Sequence, residues 1–160
     1  MNNFKNQLSK EEIISRGYEF DGDRICYSGE YGQQVCDVSS GLDVPITGML
    51  YEFYANGNIN YYCMYENGIP NGENISFYED GSLMEQCMMY KGVQHGKMIS
   101  WFNNGAKKAE SESKYGFNLY YKEWNENGDL IKNISEPTDF GKRMIAKYEM
   151  LENRLKNEKN

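Results

Sequence analysis

One short phrase recurs four times along this chain, as Phe53-Tyr54-Ala55-Asn56-Gly57, Phe77-Tyr78-Glu79-Asp80-Gly81, Trp101-Phe102-Asn103-Asn104-Gly105 and Trp124-Asn125-Glu126-Asn127-Gly128. The closing glycines lie 24, 24 and 23 residues apart. Two further glycine columns keep the same register, Gly48, Gly72, Gly96 and Gly68, Gly92, Gly116. A fixed period of this length means stacked supersecondary units, each burying its apolar side against the next, rather than one core wound around a pocket. A chain built this way offers an extended surface before it offers a catalytic cleft.

Each unit reads as two strands. MLYEFYA before Gly57 and NINYYCMYE after it are rich in aromatic and apolar side chains that suit a pleated surface. The Asn-Gly and Asp-Gly pairs supply the positive φ of a tight hairpin turn, and Asn67-Gly68-Ile69-Pro70-Asn71-Gly72 turns the chain into the next unit. The expected fold is mostly β, an elongated antiparallel meander of hairpins. Alternation places Tyr51, Phe53, Ile75, Phe77, Ile99 and Trp101 on one core face, with polar Glu52, Ser76, Ser100 and Glu123 between. Cys63, Cys87, Ser111 and Ile134 form a second column. The segment AKKAESESK is far more polar than its counterparts, which predicts an exposed or weakly paired strand.

The pattern of two aromatics, a residue and Asn-Gly, followed by tyrosine and two glycine turns, resembles the MORN-repeat variant of bacterial YwqK-type antitoxin and immunity proteins. Leu42-Asp43-Val44-Pro45-Ile46-Thr47-Gly48 is similar to the entry that precedes the first full repeat there. The likeness covers residues 18–134 and departs at Leu119, where a glycine is missing, and in the degenerate stretch 18–40. It implies a β meander and a protein-binding role, often protection against a toxin, and it carries over no catalytic residues.

Helices are expected at both ends of a single domain, with 1–17 an N-terminal helical segment, 18–134 the hairpin array and 136–157 a C-terminal helix. Ser9 and Glu12 fit a capping box over a helix from about 10 to 16, stopped by Gly17. Pro137 suits a first helical turn, and Phe140, Met144, Tyr148, Leu151 and Leu155 recur at helical spacing, a stripe that caps the open end of the sheet or docks a partner. No apolar run approaches the roughly 18–20 residues that span a bilayer. MNNFKNQLSKEE lacks the apolar stretch of a secretion signal, so the expected compartment is cytoplasmic.

Nothing in the residues points to an enzyme. His95 reads as a turn residue, and there is no nucleophile elbow, phosphate loop or metal motif, so no catalytic residue, cofactor or metal is expected. Cys63 and Cys87 stand one unit apart, about 9–10 Å if a unit is one hairpin. That is beyond disulfide reach. Cys26 and Cys36 are close enough in the first unit to approach each other, and a reduced pair is the expectation in that compartment.

Charge is uneven. Residues 17–104 hold Arg24, Lys91 and Lys97 against twelve carboxylates, 3 − 12 = −9, while the whole chain is −7. Such a surface repels nucleic acid and anionic lipid, and it attracts a basic protein. The favoured partner is a cognate toxin with a basic surface, such as a nuclease, bound stoichiometrically and occluded. The alternative is a scaffold that organises proteins without inhibiting them. The residues assigned to the partner are Glu52, Tyr54, Tyr62, Glu79, Asp80 and Glu85, with Glu52, Tyr54 and Tyr62 expected opposite the aromatic core column. Whether an exposed sheet edge pairs with a second copy is left open.

Overall fold

The computed structural model describes residues 7–28 and 34–158; Glu30, one of the twelve carboxylates, lies outside them. The elements are α1 (Lys10–Arg16), β1 (Gly17–Glu19), β2 (Ile25–Ser28), β3 (Gln34–Asp37), β4 (Val44–Pro45), β5 (Gly48–Phe53), β6 (Ile59–Glu66), β7 (Ile69–Phe77), β8 (Leu83–Tyr90), β9 (Val93–Trp101), β10 (Lys107–Lys114), β11 (Phe117–Trp124), β12 (Leu130–Ile134) and α2 (Asp139–Asn157). Strands β5 to β12 form an antiparallel meander in sequence order, with β1 added in parallel beside β5. Strands β2, β3 and β4 make a separate small sheet.

The two kinds of turn exchange the roles expected of them. At Asn67-Gly68, Lys91-Gly92 and Tyr115-Gly116 both residues have positive φ. These are two-residue turns of the type whose twist matches antiparallel strands. The repeated Asn-Gly phrase instead closes a three-residue loop: Tyr54 N donates to Asn58 O, Gly57 N donates to Tyr54 O, and only the glycine has positive φ. The preceding Asn or Asp serves through its side chain, as when Asn56 Oδ1 accepts from Asn58 N and Asp80 Oδ1 from Ser82 N. Gly72 is not in a turn at all. It lies inside β7 at φ 125°, where a Cβ would come within 2.8 Å of the Met64 Cβ on the neighbouring strand.

The repeats are also stitched along the Asn-Gly rim. Tyr54 Oη donates to Phe77 O at 2.7 Å, and Tyr78 Oη to Trp101 O at 2.8 Å. Phe102 holds the equivalent place in the third unit and has no hydroxyl to donate. Of the aromatics that open the phrase, Phe77 is buried and Phe53 and Trp101 are half-buried.

Two cores form, one on each face of the first strands. On one face α1 lays Ile13 against Met49, Tyr51, Ile59, Tyr62, Ile75 and Phe77. On the other the small sheet lays Ile25, Val35 and Ile46 against Leu50, Cys63 and Tyr65. Consecutive residues Met49, Leu50 and Tyr51 are therefore all buried. A fully buried side chain of this size contributes about 1.5–3 kcal/mol, so the array is anchored at its N-terminal end.

Strand β10 corrects the expectation of weak pairing: it is hydrogen-bonded to β9 and β11, and Ala109, Ser111 and Ser113 are buried. Small side chains alternate with Glu110 and Glu112, so the polar composition conceals a two-faced strand. His95 likewise lies within β9, not in a turn, with its Nδ1 accepting from Tyr115 N at 3.2 Å.

The helix α1 has the capping box read from Ser9 and Glu12, each side chain bonding the other's backbone N–H. Helix α2 begins later than expected: Thr138 is its N-cap, and Pro137 precedes it. Phe140 meets Phe117, and Tyr148 meets Tyr115, yet Leu151 and Leu155 remain exposed. Polar contacts complete its seat, with Lys114 paired to Glu149 and the hydroxyls of Tyr90 and Tyr115 donating to Glu152 at 3.0 and 2.8 Å. Phe140 and Tyr148 thus meet the two-residue-turn rim, but most of the stripe stays exposed.

Those hydroxyls hold the Glu152 carboxyl below its ordinary value of 4.5. A carboxylate depressed by folding adds stability above its unfolded pKa and loses it as pH falls through the folded value. Acidification from pH 5 toward pH 3 should therefore loosen α2, read by NMR as movement of the Tyr115 and Tyr148 ring signals. Glu152→Ala should displace those signals already at neutral pH, and signals that ignore both changes would remove Glu152 from the helix seat.

Candidate protein-binding face

On the face that carries the small sheet, cross-strand pairing lines up one continuous row. Glu52 of β5 stands opposite Tyr61 of β6, then Ser76, Glu85, Ser100, Ala109 and Glu123 follow strand by strand to Lys132 of β12. The three glutamates recur every third strand, about 14 Å apart at ordinary sheet spacing. The neighbouring row is Leu50, Cys63, Asn74, Cys87, Met98, Ser111, Tyr121 and Ile134. The column of Cys63, Cys87, Ser111 and Ile134 expected from the sequence is there. The small sheet covers Leu50 and Cys63 at one end.

Local bonds shape this surface. Tyr121 Oη donates to Glu123 Oε2 at 3.0 Å, and Gln94 Nε2 to Ser111 Oγ at 3.1 Å, which closes over a side chain only 1% exposed. Ser100, Ala109, Ser111 and Ser113 make a low floor. Larger side chains, Tyr61, Glu85 and Tyr121, stand half-exposed around it.

The electrostatics follow from burial and sign. Burial pushes the Glu85 carboxyl up, opposed by a bond from Cys87 and by the charge of Lys108. Burial also raises the Tyr61 phenol, assisted by nearby Glu52. The Cys63 and Cys87 thiols are pushed up to about 12 and about 11 by burial, so neither is a nucleophile near neutral pH. Among the described residues no group of three or more His, Cys, Asp or Glu is placed to hold a metal ion.

The six residues assigned to a partner from sequence do not form one site. Glu52 and Glu85 share the row. Glu79 and Asp80 lie exposed on the Asn-Gly rim, where Glu79 O accepts from Asn56 and Asn58 side chains and the Asp80 carboxylate holds Ser82. Tyr54 spends its hydroxyl on Phe77 O. Tyr62 contradicts the expectation outright: it pairs with Tyr51, lies in the same core as Phe77 and is 1% exposed. Its neighbour Tyr61 takes the opposite face, where it lies half-buried against the second core. Tyr61, Tyr121 and Glu123 are the residues that sequence reasoning missed.

Residues 46–67 and 70–91 match the family model described as MORN repeat variant. The first match spans β5 and β6 with their Ile46-Thr47 entry, and the second spans β7 and β8. These two hairpins are similar to MORN-variant repeats. The remaining hairpins continue the same sheet, with the same two turn geometries, outside the matched segments. No curated protein and no solved structure matches the chain. The MORN-variant hairpins point to a protein-binding repeat scaffold. No helix among the described residues is long and apolar enough to cross a membrane.

Proposed function

We propose that this protein is a non-catalytic immunity protein, acting in the cytoplasm, that binds a cognate toxin with a basic surface and blocks it by occupying it. The observation that carries the reading is the row of Glu52, Glu85 and Glu123, flanked by Tyr61 and Tyr121 across seven strands. Carboxylates at fixed spacing select a basic partner and speed its approach, while tyrosines supply rigid area with a polar end. The excess of acid in residues 17–104 extends the same field.

The test is co-expression of this chain with the toxin domain of an exported protein encoded beside it. Restored growth together with a one-to-one complex on sizing supports immunity. A complex without restored growth favours the scaffold reading, and no complex removes that pair.

The rim gives a kinetic prediction. Glu79 is exposed on the rim, so Glu79→Lys should slow association several-fold at low salt, with little effect at high salt or on dissociation. Surface plasmon resonance at two ionic strengths checks this, and an unchanged on-rate takes the rim out of the encounter surface.

A further inference from the structure

We infer that Cys26 and Cys36 form a dithiol site that takes a low-molecular-weight disulfide and closes into a reversible intrachain bond between β2 and β3. The two residues are direct cross-strand partners in an antiparallel pair. Directly opposed Cα atoms in such a pair are about 4.5–5.5 Å apart. That falls within the Cα window a disulfide requires. Both residues are free thiols, Cys36 buried and Cys26 partly exposed. The contrast with the other two cysteines is internal to the molecule. Cys63 and Cys87 each face Asn74 from opposite sides, two strand spacings apart, and both are buried.

The asymmetry in exposure orders the chemistry. Burial pushes the Cys36 thiol up, with Asp43 and Cys26 adding to the effect. The accessible Cys26 thiolate attacks one sulfur of glutathione disulfide; a Cys26–glutathione bond forms, the glutathione S–S bond breaks, and one glutathione thiolate leaves. The Cys36 thiolate then attacks the Cys26 sulfur, forming the protein S–S bond and expelling the second glutathione. The protein loses two electrons and two protons. The oxidant gains both and ends as two glutathione thiols.

The location gives this bond a consequence. Val35, next to Cys36, joins the small sheet to the array: its N donates to Gly68 O at 2.9 Å, its O accepts from Ile46 N at 3.0 Å, and Gly68 N returns to Ile46 O at 2.7 Å. Val35 itself is wholly buried in the second core. Closing the pair would tie β2 to the strand that holds this junction, so oxidation stiffens the sheet covering the first strands. This holds whatever the acidic face binds.

The full chain is equilibrated with glutathione disulfide, quenched with an alkylating reagent, digested and weighed by mass spectrometry. The expected product joins the Cys26 and Cys36 peptides, has lost the mass of two hydrogens, and reverts with dithiothreitol. Cys63 and Cys87 should accept the alkylating reagent only after unfolding. Cys26→Ser, at the more exposed position, should leave Cys36 a thiol, and Cys36→Ala should trap glutathione on Cys26. The oxidised wild type should unfold at a higher urea concentration than the reduced form, while Cys26→Ser shows no such shift. A Cys26–glutathione adduct that persists in the wild type overturns the inference, as does a linkage that includes Cys63 or Cys87.

Discussion

Gly68→Ala is expected to cost roughly 3–4 kcal/mol, far more than alanine at any glycine of the Asn-Gly loops. Two effects add at this position. Its φ is +74°, a left-handed conformation in which a Cβ costs about 1–2 kcal/mol. An added Cβ would also meet Val35 O at 2.8 Å and Val35 N at 3.0 Å. Those are backbone atoms bound into the junction of the two sheets, so they have no rotamer by which to move aside. Gly57 provides the control, since it has φ +83° and nothing within 4 Å of a built Cβ. Gly57→Ala should therefore show the conformational cost alone, about 1–2 kcal/mol. Urea unfolding of the two variants measures the difference, and amide exchange at Val35 reports whether the small sheet lifts. Equal losses at Gly57 and Gly68 would mean that the junction does not hold the sheets together.

The same glycine shows what the sequence conveys and what it does not. Its column was legible as a repeat, and the repeat correctly implied hairpins in sequence order. The partner against which Gly68 packs comes from Val35, in a stretch with no period at all. Ile25 and Val35 lie in two short strands and Ile46 just beyond a third, and nothing in their spacing announces a second core. Three consecutive apolar residues, Met49-Leu50-Tyr51, are the local trace of it: a strand buried on one face alternates, and a strand buried on both does not.

Register explains the error at Tyr62. A one-residue register shift between Glu52 and Phe53 pairs Tyr51 with Tyr62, and directly paired residues share a face. The aromatic core face at Tyr51 therefore fixes Tyr62 in the first core and Tyr61 on the opposite face, against the second. Face assignment along one strand was sound, but the hairpin carries it to the next. Polar composition misled at β10 for a related reason. Ala109, Ser111 and Ser113 are small enough to lie on a crowded floor, where burial follows from size and pairing rather than from hydrophobicity. Glu123 reads from the sequence as a polar-face residue with Glu52 but is not assigned to the partner, because it lies beyond the acidic stretch 17–104. The strand-to-strand row is what adds Glu85 between them.

Glu85 should separate binding from stability. Because folding raises its carboxyl above the ordinary value, the ionised form is the disfavoured one. The sign is opposite to that of Glu152: the charge costs stability above the folded pKa, and the cost disappears as pH falls through it. Glu85→Gln should therefore stabilise the isolated protein near neutral pH by roughly 0.5 kcal/mol, a small figure because solvent still reaches the side chain. That gain should vanish in acid. Toward a basic partner the effect reverses. Glu85→Gln removes the central carboxylate of the row, and Glu85→Lys places a like charge there, expected to weaken the complex by about 2 kcal/mol, some 30-fold. Adding Glu123→Lys should weaken it further, whereas a lysine at exposed Glu126 on the rim should not change dissociation. Urea midpoints across pH and calorimetric titration with the co-expressed toxin domain test both halves. A Glu85→Lys protein that folds and binds with unchanged affinity would move the interface off this face. A Glu85→Gln protein that gains stability and loses affinity would show that the half-buried carboxylate is kept at the fold's expense for the partner it meets.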